Sequence, residues 1–210
     1  MEILKEVFFV RHGETDSNVD GVLRGHRSML TEKGKKQAKI VAERMQKIGI
    51  DALVSSSFPR ALDTAAEIAG ATGMSIVQSD LLTEWVEASC MLDKPKDHPE
   101  VAEAYSAIFS AEQHDYRHSD EETFTELVRR GRASLEFLAA HPGKRIGVVT
   151  HGAFLRVLFG DIVFRDRFTR RQFVDLFNLL VTTNTGISHA RLTNDRSWQF
   201  VTWNDSAHLG

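Results

Sequence analysis

Near its start the chain carries four consecutive apolar residues, Val7-Phe8-Phe9-Val10, and then breaks off into Arg11-His12-Gly13. An apolar run this short, without alternation, reads as a strand covered on both faces. Further along, Ala38, Val41, Ala42 and Met45 recur at helical spacing and predict a helix over residues 31–48. Thr31 stands at its N-cap and Gly49 just past its end. A short strand follows over 52–55. A second helix over 59–71 opens with proline in its first turn and breaks at Gly70 and Gly73. Residues 75–78 form a weaker strand.

From about Glu87 to Asp120 the periodicity is poor, so this stretch reads as loop and short helix. Residues 123–140 then show a clear amphipathic stripe of Phe124, Leu127, Val128, Leu135 and Leu138, stopped by His141-Pro142-Gly143. A strand over 145–150 runs into His151-Gly152 and a helix over 153–159. Two apolar runs, 187–192 and 198–203, flank Asn194-Asp195 and predict a closing hairpin.

Strand–helix alternation predicts an α/β protein. The expected architecture is a three-layer α/β/α sandwich with a mostly parallel central sheet and an antiparallel edge. We expect one domain over residues 1–210, with a lid-like excursion at about 87–122. In such sheets ligands collect beyond the carboxyl ends of the strands. Three polar groups lie at those ends: Arg11-His12, Ser55-Ser56-Ser57-Phe58-Pro59-Arg60 and His151-Gly152. Two imidazoles and two guanidiniums would converge on one crevice, a donor set suited to a phosphoryl group.

Composition changes this picture only at its margins. The 210 residues are 42% hydrophobic and 26% charged, with a formal net charge of −3, which gives no general attraction to nucleic acid or an acidic membrane. Cys90 is the sole cysteine, which excludes a disulfide framework and cysteine-based zinc patterns and fits a reducing compartment. No stretch has the form of a signal peptide or membrane span, so a cytoplasmic location is expected. His114 and His118 sit four apart but lack a third ligand. The run Arg165, Arg167, Arg170 and Arg171 is diluted by Asp161, Asp166 and Asp175 and predicts a solvated helical face.

Several longer stretches resemble the histidine phosphatase superfamily, also called the phosphoglycerate mutase-like family. They are Arg11-His12-Gly13-Glu14-Thr15 with Asn18, Leu30-Thr31-Glu32-x-Gly34-x-x-Gln37-Ala38, the Ser55 to Ala65 segment, Glu84, and Val149-Thr150-His151-Gly152. The closing Asn184-Thr185-Gly186 and Trp203 to Leu209 match as well, so the resemblance runs from residue 7 to the end. It implies that His12 is the nucleophile, forming a phosphohistidine, and that Arg11, Arg60 and His151 surround the phosphoryl oxygens. Asn18 would donate from its amide, and Gly152 would lend a backbone N–H at a helix start. It further implies that Glu84 is the proton donor. A carboxyl held against a doubly charged phosphate favours its protonated form, so it can act first as acid and then as base toward water.

Departures from the family pattern leave questions open. Trp85-Val86-Glu87-Ala88 replaces the usual glycine and Trp-Glu-Gly, which makes Glu87 a reserve candidate for the acid. Gly25 is expected among the phosphate contacts, and Arg24, which stands before it where glutamine is common, either extends that set toward a second negative charge or points to water. Only 66 residues separate Glu84 from His151, short for a cofactor-dependent mutase, so a phosphatase is expected over a mutase or a catalytically silent phosphate-binding scaffold. Tyr105, Ile108, Phe109 and Tyr116 are candidates for an apolar lid. The expected partner is a small phosphorylated substrate, with no metal, no cofactor and no nucleic acid or membrane. The protein itself is expected as a monomer or homodimer.

Overall fold

In the computed structural model, which describes residues 2–210, the elements in chain order are β1 (Ile3–Arg11), α1 (Asp16–Asp20), α2 (Glu32–Ile48), β2 (Ala52–Ser56) and α3 (Pro59–Thr72). There follow β3 (Ile76–Ser79), α4 (Pro99–Ser110), α5 (Phe124–Ala140), β4 (Arg145–Thr150), α6 (Gly152–Phe164), α7 (Arg170–Leu179), β5 (Ile187–Thr193) and β6 (Trp198–Asp205). The six strands form one sheet in the order β3-β2-β4-β1-β5-β6. The pairs β1–β4, β2–β4 and β2–β3 are parallel, and the hairpin β5–β6 adds the antiparallel edge.

The continuous apolar run of β1 has its expected cause. Val7 and Phe9 face the cluster built with α4, α5, α6 and α7, whereas Phe8 and Val10 face the cluster built with α2 and α3. All four are nearly or wholly buried, so a polar residue at any of them would lose its water on one face or the other.

Caps fix the helix ends, at Thr31 as the sequence suggested and at Thr123 where it named none. Thr31 Oγ1 accepts from Gly34 N at 3.0 Å, and Thr123 and Glu126 form a reciprocal capping box at the start of α5. Three boundaries differ. Helix α3 runs through Gly70 and ends at Gly73, whose φ of +74° allows the left-handed cap. Helix α6 extends to Phe164, five residues beyond the expected end, because Leu158 and Ile162 continue its buried face. The excursion contains a regular 12-residue helix, α4, whose Val101, Ala104 and Ile108 are buried at helical spacing.

The solvated reading of the basic run is corrected at Arg170. Its side chain is buried, donates to the carbonyls of Ile108 and Gln113 and lies over the Tyr116 ring, so it ties α7 to α4. Arg165, Arg167 and Arg171 are exposed, as expected. Of the residues considered for a lid, Ile108 is buried, and Phe109 and Tyr116 pack against the core; Tyr105 also packs there but reaches the cleft as well. Among the described residues no helix is long and apolar enough to cross a membrane.

Candidate active site

Sheet register dictates the centre of the site. Arg11 pairs with Thr150 across the parallel β1–β4 ladder, and His12 N donates to Thr150 O at 3.0 Å. One residue further along each strand, His12 and His151 therefore emerge side by side, with ring centroids 5.1 Å apart. The chain leaving β1 goes to β2, and the chain leaving β4 goes to β5 on the opposite side of β1. The two imidazoles thus sit where connections depart in opposite directions, the usual place for a ligand crevice in an open α/β sheet.

A cleft of about 490 Å³ opens there, lined among others by Arg11, His12, Asn18, Arg60, Glu84 and Gly152. The His12 ring is nearly buried. Its Nδ1 lies 2.7 Å from the Gly13 carbonyl, which can only accept, so Nδ1 carries the proton and Nε2 keeps its lone pair. Arg60 Nε donates to that Nε2 at 3.1 Å, in agreement with this tautomer. Arg60 comes from the first turn of α3 and is held by the Gly25 carbonyl at 2.8 Å. Gly25, expected among the phosphate contacts, thus supplies a carbonyl that fixes Arg60.

Arg11 donates to Thr182 O and leaves a buried Nε without a partner. Burial pulls its pKa down to about 10, against the pull of Glu84, and burial also lowers Arg60. Two guanidiniums stripped of water and incompletely matched by carboxylates form a receptor for an anion. A Cβ on Gly152 would stand 3.4 Å from Arg11 Nε and 3.0 Å from Thr182 Oγ1, so the missing side chain keeps that approach open.

His151 is fully buried, screened by His12 and by Phe58, whose ring meets it edge-on at 5.3 Å. Its Nε2 lies 2.8 Å from Ser56 Oγ, while Nδ1 has no partner. Asn18 Oδ1 accepts from Thr15 N and from Asn184 Nδ2, both at 3.1 Å, which turns the Asn18 amide nitrogen outward as a free donor. The Glu84 carboxylate accepts from Ala153 N at 3.2 Å and Phe154 N at 2.9 Å and so caps α6 beside Gly152. Arg24 lines the cleft but is not a free cation. Asp20 binds it bidentately at 2.8 and 2.5 Å, and Asp16 lies 3.7 Å from its Nε.

Residues that the sequence did not single out complete the support. Arg130 donates to the carbonyls of Thr83 and Glu84 and pairs with Glu122, which clamps the segment carrying Glu84. Asn184 Nδ2 also donates to His12 O at 3.1 Å, and Thr64 Oγ1 accepts from Gly13 N at 3.1 Å. Both lie within motifs quoted above, but nothing in the sequence showed what they would hold.

Burial, then Arg60, lowers both imidazoles well below the ordinary value of 6.5. Below that pH the unfolded chain takes up protons that the folded chain refuses, so stability falls on acidification and is insensitive to these groups above about pH 7. Each histidine contributes a slope of up to about 1.4 kcal/mol per pH unit, or roughly 2.7 for the pair. Urea unfolding at pH 7, 6 and 5 should show this loss before most carboxylates titrate. A stability constant across that window would overturn the assignment of two neutral rings.

An α/β sandwich that gathers two imidazoles and two dehydrated guanidiniums at the tips of its central strands is built as an enzyme for phosphoryl groups. The chain belongs to the histidine phosphatase superfamily, branch 1, whose family model matches residues 7–206. It is 34% identical over 209 residues to a metal-independent phosphoserine phosphatase of Arabidopsis thaliana, covering 97% of this chain and 83% of the relative. It is 32% identical to phosphoglycerate mutase-like protein 4 of the same plant, covering 97% and 86%. The fold matches that of a phosphoserine phosphatase from Entamoeba histolytica, solved with 3-phosphoglyceric acid, with a TM-score of 0.81 at 22% identity over 98% of this chain and all of that one.

Proposed function

We propose that this protein hydrolyses small phosphomonoesters through a phosphohistidine on His12, without a metal ion. One observation carries the reading: a neutral His12 whose Nδ1–H is tied to Gly13 O, so that Nε2 faces the cleft between two buried guanidiniums.

In the first step the Nε2 lone pair attacks phosphorus and the ester P–O bond breaks. Glu84 gives its proton to the leaving alkoxide. The Arg60 N–H now on Nε2 transfers its hydrogen bond to a phosphoryl oxygen, joined by Arg11, the Asn18 amide, the Gly152 N–H and the unpartnered Nδ1 of His151. Charge stabilisation and positioning are the main demands of phosphoryl transfer, and these donors supply both. In the second step Glu84 takes a proton from water, hydroxide attacks phosphorus, the P–N bond breaks and inorganic phosphate leaves. Arg24 has no place in this set, since two aspartates already match its charge.

The relatives named as mutase-like make transfer to a second phosphorylated molecule the competing outcome. Hydrolysis is favoured because the cleft reaches exposed Lys96 at its rim, which gives water a path to the phosphohistidine. The test is a single turnover with a ³²P-labelled monoester in EDTA, quenched in alkali. A transient alkali-stable, acid-labile phosphoprotein that decays to inorganic phosphate is expected. Dependence on a divalent ion, or label passing to added phosphoglycerate in preference to water, would overturn the reading.

A further inference from the structure

Besides the groups at the strand tips, the cleft receives three polar side chains from the excursion between β3 and α5: Glu87, Lys96 and Tyr105. Glu87 and Lys96 carry opposite charges, yet no ion pair joins them, and neither has any other ion-pair partner among the described residues. Glu87 Oε1 accepts from the Tyr105 hydroxyl at 2.6 Å, while Oε2 makes no hydrogen bond among the described residues. Lys96 is exposed at the rim, and its ammonium makes no hydrogen bond among the described residues, although its backbone is fixed by a 3.1 Å bond from its N–H to Gly21 O. A Val22–Pro95 bridge holds the same segment.

These two charges contrast with the others nearby. Arg24 is spent on Asp20 and Asp16, Arg156 on the carbonyls of Gly152, Leu176 and Leu180, and Glu84 on the N-terminus of α6. Glu87 is in addition half-buried, and burial pushes its pKa up, with the neighbouring Glu84 charge acting in the same direction and Lys96 and Arg60 against it. A carboxylate held this way gains most from a cation that arrives with the ligand.

We propose that Glu87 and Lys96 form a receptor for the head group of an α-amino acid, so that the substrates are O-phosphorylated amino acids with a short stem. The inference rests on the phosphatase reading above. The phosphoryl group occupies the site between His12, Arg11 and Arg60, the ammonium meets Glu87 Oε2, and the carboxylate meets Lys96 Nζ. Ligand charges then satisfy both protein charges that the fold leaves unmatched, and Tyr105 holds Glu87 in orientation.

The test compares kcat/KM for O-phosphoserine with that for 3-phosphoglycerate, which replaces the ammonium by a hydroxyl, and for phosphoethanolamine, which lacks the carboxylate. The wild-type protein should prefer phosphoserine to each by about 30-fold or more, the scale of losing one partner of a desolvated charge pair. Glu87→Gln should collapse the phosphoserine to 3-phosphoglycerate ratio, and Lys96→Met the phosphoserine to phosphoethanolamine ratio, mainly through KM. If Glu87 were instead the general acid, Glu87→Gln would slow all three substrates together and leave the ratios unchanged, which would overturn the proposal. Equal kcat/KM for the three substrates in the wild-type protein would also overturn it. An aryl phosphate run in parallel separates the two readings, since its hydrolysis without head-group discrimination sinks this inference alone. If nothing is hydrolysed, calorimetric titration still decides: equal affinity for phosphoserine and 3-phosphoglycerate refutes the receptor.

Discussion

His12→Ala is expected to lower kcat toward an aryl phosphate by about 10⁴-fold or more, equivalent to roughly 5.5 kcal/mol of lost barrier reduction. The second imidazole is not placed to take over. His151 Nε2 is occupied by Ser56 Oγ, its free Nδ1 is the nitrogen that donates to the phosphoryl oxygen and so offers no lone pair, and the Ser55 hydroxyl is engaged at Ser56 O. What remains in the variant is the receptor itself, Arg11, Arg60 and the Asn18 amide, which still binds phosphate but offers no covalent route. The loss should therefore fall on kcat with phosphate binding retained, and the alkali-stable phosphoprotein should vanish. A variant that kept more than about a hundredth of wild-type kcat would place the nucleophile elsewhere, because removal of a true nucleophile costs far more than that.

The meeting of His12 and His151 shows how far the sequence could be read. Each histidine ended an apolar strand, and that much was visible. Their contact depends on β1 lying directly beside β4 in matched register, a pairing between residues about 140 apart that no local pattern encodes. Their place at strand ends, and then the family motifs, made the convergence an expectation, and the sheet order supplies its physical cause. Arg24 lay on the other side of this divide. Its neutralisation by Asp20 is an i,i+4 pairing, written in the sequence and overlooked in favour of the departure from a familiar glutamine.

The burial of Arg170 and the length of helix α4 were hidden for a different reason. A basic run announces charge but is silent about neutral acceptors, and Arg170 is buried because the Ile108 and Gln113 carbonyls, some 60 residues away, accept its protons. The α4 stripe is made of one valine, one alanine and one isoleucine among glutamates, serines and further alanines, too weak a period to stand out until a core exists for it to face. Glu87 and Lys96 belong to the same excursion. That they lack partners is a property of the fold, since nine residues of sequence separation neither bring them together nor keep them apart.

One motif position has a purely steric meaning that gives the largest expected effect on stability. Gly34, in the first turn of α2, packs backbone to backbone against the loop that follows His12. A Cβ there would stand 2.9 Å from Glu14 N and closer still to the Glu14 carbonyl oxygen, and a Cβ on Gly13 would stand 2.5 Å from Gly34 O. The same loop is bound to α2 by Thr31 N donating to Glu14 O at 3.0 Å and by Glu14 N donating to Gln37 Oε1 at 2.9 Å, so neither side can retreat without breaking these bonds. Gly34→Ala should therefore destabilise by about 3 kcal/mol, the upper range for forced overpacking, and lower Tm by about 6–12 °C for a chain of this size. Activity should fall with it, because the displaced loop carries the Gly13 carbonyl that fixes the His12 tautomer. Gly70→Ala provides the opposite case. It lies inside α3 with open space around its Cβ position, and there the higher helix propensity of alanine should raise stability by up to about 1 kcal/mol. Thermal melts of the two variants should move in opposite directions, and a Gly34→Ala protein as stable as the parent would show that α2 does not press on the catalytic loop.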